Sequence, residues 1–277
     1  MPEIIYLNGQ YLPIDQAHIS VRDRGFLFAD GVYEVIGIRH GRPLQPAAHF
    51  ARLQRSLAAI ELSYPLKDAD LMLILEQLLL HNDAADQQSF YIQITRGIES
   101  NRHHHYLDCQ PTIYARLETI LPKDLSHGVA AITAQDIRWQ RCDIKSINRL
   151  ANVLLAQQAQ RAGAEEVIIL HDDLVLEGAT SNVLIVKDRH VITPPLSHDI
   201  LGGVTRQTVM NLVSKIATCL ERNITLSGLY TADEVWITSS SRGIAPVVKV
   251  DDHLIGDGQP GQMYQHIQSA YSSARKA

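Results

Sequence analysis

At 277 residues the chain exceeds the usual single-domain size of roughly 100–150 residues, so two domains are expected. Hydrophobic residues make up 45% and charged residues 20%, a balance that supports a packed core and excludes a disordered chain. The net charge of -5 offers no basic field for a phosphate backbone, which excludes nucleic acid as a partner and favours a small molecule. The opening Met1-Pro2-Glu3-Ile4 lacks a basic n-region, and the most apolar stretch, residues 71–80, is interrupted by Glu76 and Gln77, so neither a signal peptide nor a membrane span is expected. Cys109, Cys142 and Cys219 are too scattered for a disulfide framework or a thiolate zinc site, and they imply a reducing cytoplasm.

In chain order, Asn8-Gly9 between two short apolar runs predicts a hairpin, because both residues tolerate positive φ. A strand over 32–38 turns at His40-Gly41, and Pro46 then introduces a helix with Phe50, Leu53, Leu57 and Ile60 on one side. A second helix spans about 68–81. Strands over 89–96 and 112–117 flank the polar, His-rich segment 99–110, which reads as a loop. Residues 119–126 lack periodicity and form the expected linker between a small N-terminal domain (1–118) and a larger C-terminal domain (127–277). There the pattern gives a strand at 129–136, a helix at about 148–162, strands at 166–170, 182–186 and 191–193, a helix at 205–216 and a strand at 234–238. Both halves mix strands and helices, without internal repeats or low-complexity tracts.

Four segments carry candidate chemistry. Asp143-Ile144-Lys145-Ser146-Ile147-Asn148 sets a lysine between aliphatic residues just before a helix, where burial would depress its pKa and free the amine as a nucleophile. Leu176-Glu177-Gly178-Ala179-Thr180-Ser181-Asn182 puts a carboxylate at a strand end, followed by small residues that let a flat ring approach the backbone. Leu201-Gly202-Gly203-Val204-Thr205-Arg206 leads a glycine pair into a helix, where free N–H groups and the helix dipole attract phosphate. Thr238-Ser239-Ser240-Ser241 adds hydroxyl donors after a strand. Taken singly, each segment has an ordinary reading: a solvated lysine, a hairpin with a capping Glu, tight turns.

Taken together, in this order and spacing, they resemble the class IV aminotransferases, the fold-type IV pyridoxal-phosphate enzymes, and among these most closely the D-amino acid aminotransferases. The likeness runs nearly end to end, from the opening hairpin through Asp30-Gly31-Val32-Tyr33-Glu34 to Ala245-Pro246-Val247. It implies a mixed α/β, α+β two-domain fold with the active site between the domains and the cofactor lysine in the C-terminal one. It further implies that Lys145 holds pyridoxal 5'-phosphate and moves the proton, and that Glu177 contacts the pyridine nitrogen. Arg52, in His49-Phe50-Ala51-Arg52-Leu53, corresponds to the phosphate-binding arginine, joined by Val204, Thr205 and Ser241.

Within the family, Tyr33, Arg102 and His104 match the tyrosine and Arg-x-His pair with which D-amino acid aminotransferases trap the substrate α-carboxylate, the pair reaching over from the neighbouring subunit of a homodimer. A guanidinium fork suits a carboxylate, and a histidine beside it can donate a second bond. D-alanine or D-glutamate with a 2-oxo acid such as 2-oxoglutarate are the implied substrates. The alternatives are a branched-chain L-amino acid aminotransferase, not expected to carry the Arg-x-His pair, an aminodeoxychorismate lyase, and a non-catalytic ligand-binding relative, against which the intact lysine and glutamate argue. Three successive histidines, His103 to His105, raise metal binding, but adjacent loop side chains diverge, so no metal is expected.

Overall fold

A computed structural model of the protein describes residues 2–63, 67–106, 109–121 and 123–275. Residues 107 and 108 of the expected His-rich loop and residue 122 of the expected linker lie outside them. The chain divides into two compact units: Met1–Pro122 with Ile144–Asn148, and Lys123–Asp143 with Arg149–Ala277.

The first unit contains β1 (Ile4–Leu7), β2 (Gln10–Pro13), α1 (Arg24–Phe28), β3 (Gly31–Arg39), β4 (Arg42–Pro43), α2 (Pro46–Ala59), α3 (Asp68–His81), β5 (Gln87–Thr95) and β6 (Thr112–Thr119). Asn8 and Gly9 both take positive φ, the geometry that the first hairpin requires. The strands form a sheet of order β2-β1-β6-β5-β3-β4. Period-2 alternation aims Val32, Ile36 and Ile38 at one face, where they join Phe90, Ile92 and Ile94 of β5. Phe50, Leu53 and Leu57 of α2 and Leu71, Leu75 and Leu78 of α3, at helical spacing, close the core over that face.

The second unit contains β7 (Val129–Gln135), α4 (Leu150–Arg161), β8 (Glu166–His171), β9 (Leu174–Gly178), β10 (Asn182–Lys187), β11 (His190–Thr193), α5 (Val204–Val213), β12 (Cys219–Glu221), β13 (Ile224–Thr225), α6 (Leu226–Tyr230), β14 (Glu234–Ser239), β15 (Gly243–Val250), β16 (His253–Leu254) and α7 (Gln262–Ala274). Its sheet runs β12-β11-β10-β14-β15-β7-β8-β9-β13, with β16 on β15. Runs such as Val183-Leu184-Ile185-Val186 are apolar throughout because both faces are covered. Leu184, Val186 and Trp236 pack under α5 and α7, whereas Val183, Ile185 and Ile237 join a core that includes Leu229 of α6.

One segment departs from the expected division. Residues 144–148 pack with the first unit although they lie beyond its sequence boundary: Ser146 bridges Val32 in antiparallel fashion, Tyr33 N donates to Lys145 O at 3.0 Å, and Ile147 N donates to Gly31 O at 3.1 Å. Those bonds to β3 need an extended backbone, so the helix expected from residue 148 starts at Leu150. The helix expected to reach 216 ends at Val213.

Candidate active site

In the first unit, β3 sends Tyr33 and Glu34 to opposite faces. Glu34, fully buried, accepts from Arg52 Nε at 2.9 Å and Nη2 at 2.7 Å and lies 3.0 Å from His49 Nδ1. His49 and Arg52 stand one turn apart on the buried side of α2, which is why both reach one carboxylate. Burial alone would favour the neutral acid, but Arg52, His49 and Lys145 outweigh it and hold the Glu34 carboxyl well below the usual range. Burial likewise lowers His49, against the pull of Glu34. Glu34 escaped the sequence reading as a functional residue. Its signal is a charged residue on the inward face between Val32 and Ile36, a placement that demands a buried partner.

Lys145 is half-buried and fixed at its backbone: its N donates to Ser56 Oγ at 3.2 Å and its carbonyl accepts from Tyr33. Its Nζ lies 4.2 Å from the centre of the Tyr33 ring, which stacks on Tyr91 at 5.7 Å. The structure thus brings Tyr33 and Lys145 together. It also pairs Arg102 with His104, both exposed: the Arg102 guanidinium sits 4.7 Å from the centre of the Phe28 ring, and the His104 ring 5.5 Å from the same ring. His103 and His105 stack on each other at 4.9 Å. Among the described residues no group of three His, Cys, Asp or Glu is placed to hold a metal.

In the second unit, Glu177 is the penultimate residue of β9 and buried. Oε1 accepts from Arg138 Nη1, and Oε2 accepts from Leu201 N at 3.0 Å and Asn182 Nδ2 at 3.2 Å. Burial pushes its carboxyl up to about 7, with Arg138 opposing. Arg138 is itself held by Asp136 at 2.8 and 2.9 Å and by Asp199 O at 2.9 Å. Nothing in the sequence around Ile137-Arg138-Trp139 signals this role. Asn182 Nδ2 also donates to Leu201 O at 2.8 Å, so the carboxylate and the start of the glycine turn are tied together. A Cβ on Gly203 would lie 1.9 Å from Asn182 Oδ1, which restricts that position to glycine.

Gly203 caps α5 without a side-chain bond, and the first-turn N–H groups of Val204 and Thr205 lack acceptors within the helix. After β14, Ser239 and Ser241 stand with their hydroxyls 3.4 Å apart, and the buried Thr238 hydroxyl has no hydrogen-bond partner among the described residues. In this unit an uncapped helix start and the hydroxyls after β14 suit a phosphate and the Glu177 carboxylate suits a ring N–H, while in the first unit the Lys145 amine suits an aldehyde, so the residues present fit pyridoxal phosphate.

The family model for class IV aminotransferases matches residues 31–250. The chain is 37% identical to a D-alanine aminotransferase from Bacillus licheniformis, covering 98% of this chain and 96% of that one. It is 35% identical to the D-alanine aminotransferase of Staphylococcus haemolyticus, over 97% and 96%. The fold is that of a branched-chain aminotransferase from Thermoproteus uzoniensis solved with norvaline, at a TM-score of 0.90, 23% identity, and coverage of 99% and 95%. It is equally that of a hypothetical aminotransferase from Mycobacterium tuberculosis in its PLP-bound form, at a TM-score of 0.85, 23% identity and 98% of both chains. These likenesses establish the two-domain, mixed α/β architecture of fold type IV. With the family model covering most of its length and such relatives nearly all of it, the chain belongs to the class IV aminotransferases, which depend on pyridoxal phosphate.

Proposed function

We propose that this protein transaminates D-amino acids, D-alanine and D-glutamate among them, with 2-oxo acids such as 2-oxoglutarate, as a cytoplasmic homodimer. The observation that carries this reading is that Arg102 and His104 both contact the Phe28 ring, at 4.7 and 5.5 Å from its centre, a fork and a donor suited to one carboxylate. The full-length likeness to D-alanine aminotransferases supports it. The branched-chain alternative leans on structures at 23% identity, which speak to fold alone.

Pyridoxal phosphate, when bound, supplies the electron sink that makes the substrate Cα–H acidic. Lys145 holds the cofactor and carries the proton on Nζ, over the Tyr33 ring. Glu177 keeps the pyridine nitrogen protonated, fixed for that task by Arg138, Asn182 and Leu201 N. The Val204 and Thr205 N–H groups, Ser241 and Arg52 bind the phosphate, Arg52 with its plane set by Glu34. Tyr33, with Arg102 and His104 from the other subunit, orients the α-carboxylate.

Handedness follows. With the carboxylate pinned, one enantiomer alone turns its Cα–H toward Lys145, and the mirror image leaves the guanidinium unpaired. For a guanidinium exposed on its own chain that loss is worth about 1 kcal/mol, a preference of about fivefold. We expect kcat/KM with 2-oxoglutarate to favour D- over L-alanine to that degree, Arg102→Leu to erode the ratio and His103→Ala to leave it. A preference for L-leucine or L-valine would overturn the reading in favour of the branched-chain activity.

A further inference from the structure

Arg24 opens α1 and is buried, although it lies in a stretch with the exposed Val21 and Phe26. Asp23 caps the helix, accepting from Gly25 N at 2.7 Å and from Thr95 Oγ1 at 2.9 Å, which fastens α1 to the end of β5. From this fixed base the Arg24 guanidinium spreads over four acceptors. Nε donates to Asp30 Oδ2 at 2.9 Å, Nη1 to Glu99 Oε2 at 2.9 Å and to His103 O at 2.7 Å, and Nη2 to His104 O at 3.1 Å. Arg96 shares Asp30 at 2.8 Å and lies 3.7 Å from the centre of the Tyr106 ring, bracing the far side of the same loop. The side chains of Arg102 and His104 are exposed, yet the loop backbone beneath them is gripped from inside, and both side chains rest on Phe28 four residues after Arg24.

An exposed arginine on an unsupported loop samples many rotamers, and ordering it costs binding free energy. Here a single planar fork fixes consecutive carbonyls, and one aromatic ring links Arg24 itself, at 4.9 Å from its centre, to Arg102 and the His104 imidazole. We propose that Arg24 is the positioning residue of the carboxylate-binding pair Arg102 and His104, and that Phe28 sets the spacing between their side chains. The proposal rests on the D-amino acid reading above. Arg24 touches no substrate; it acts through the two residues that do. A lysine at 24 keeps the charge but cannot serve four acceptors in one plane. The defect should therefore appear in substrate binding.

The test is a kinetic double-mutant cycle on the holoenzyme with D-alanine and 2-oxoglutarate. Arg24→Lys should raise KM for D-alanine about tenfold with kcat within about threefold and pyridoxal-phosphate affinity unchanged. Phe28→Leu, which keeps an apolar side chain without a ring face, should act in the same direction and guards against misfolding of the first variant. In an Arg102→Leu background each should cost less than about twofold more, because the pair it positions is already broken. A wild-type KM for both variants, a loss undiminished in that background, or a matching fall in kcat and cofactor affinity would each overturn the proposal. Should Arg102→Leu alone leave D-alanine turnover intact, the carboxylate trap itself fails, and the positioning role falls with it.

Discussion

Glu34 and Glu177 are both buried carboxylates, and their surroundings drive them apart. Glu34 has Arg52 as a two-point partner with His49 beside it, so it stays ionised. Glu177 shares Arg138 with Asp136, and its other two donors are neutral, so burial prevails. A carboxyl lifted from an ordinary 4.5 to about 7 holds its proton more tightly in the folded chain than in the unfolded one. Its contribution to stability is full below pH 4.5 and is lost as pH rises through 7, by about 3 kcal/mol at most. In the cofactor-free protein, wild type should therefore lose Tm between pH 5 and pH 8, and Glu177→Gln should flatten that fall. In the holoenzyme the same change should lower kcat more than cofactor affinity, since an amide cannot keep the ring nitrogen protonated. Equal slopes of Tm against pH in the two proteins would show that Glu177 is an ordinary carboxylate.

The start of α5 carries a prediction of its own. With 1.9 Å between a Cβ at 203 and Asn182 Oδ1, Gly203→Ala must displace either the helix start or the amide that holds Glu177. Pyridoxal-phosphate affinity, read by fluorescence titration, should drop about tenfold or more, whereas Gly163→Ala, whose Cβ meets open space but whose φ of +68° strains an alanine, should lower Tm and leave that affinity unchanged. Elements legible in the sequence were those whose period and end signals agree: α3 runs over the expected residues 68–81, and the two hairpins turn at Asn8-Gly9 and His40-Gly41. β15 was hidden because Pro246 sits in its middle, opposite Trp236, and proline normally speaks against an inner strand. α7 has only Tyr264, Ile267 and Tyr271 buried and starts from Gly261, without a capping side chain to announce it. The four chemical segments were legible because each is contiguous. The bonds that tune them join residues far apart, Arg138 to Glu177 or Arg24 to His104, and no local pattern encodes them.

At the level of the whole molecule, α4 buries Leu155 and Ala159 on one side and exposes Leu150, Val153 and Leu154 on the other. Three large apolar groups at i, i+3 and i+4 make an uncovered stripe that suits a subunit interface. Replacing two of them by charge, Val153→Asp with Leu154→Asp, should shift sedimentation toward the monomer and reduce D-alanine turnover in step; a fully active monomer would contradict the proposed dimer. The lysine segment has a different consequence, for the order in which the chain is made. Because residues 144–148 complete the edge contacts of β3, the first 122 residues lack part of their own unit when they leave the ribosome. The N-terminal unit must wait, partly assembled, until synthesis has passed residue 148, and in that interval Tyr33 and Glu34 have no lysine beside them. Vectorial synthesis thus finishes the nucleophile's seat late, and a ribosome-bound chain stalled before residue 144 should be more open to proteolysis around β3 than one stalled well beyond residue 148.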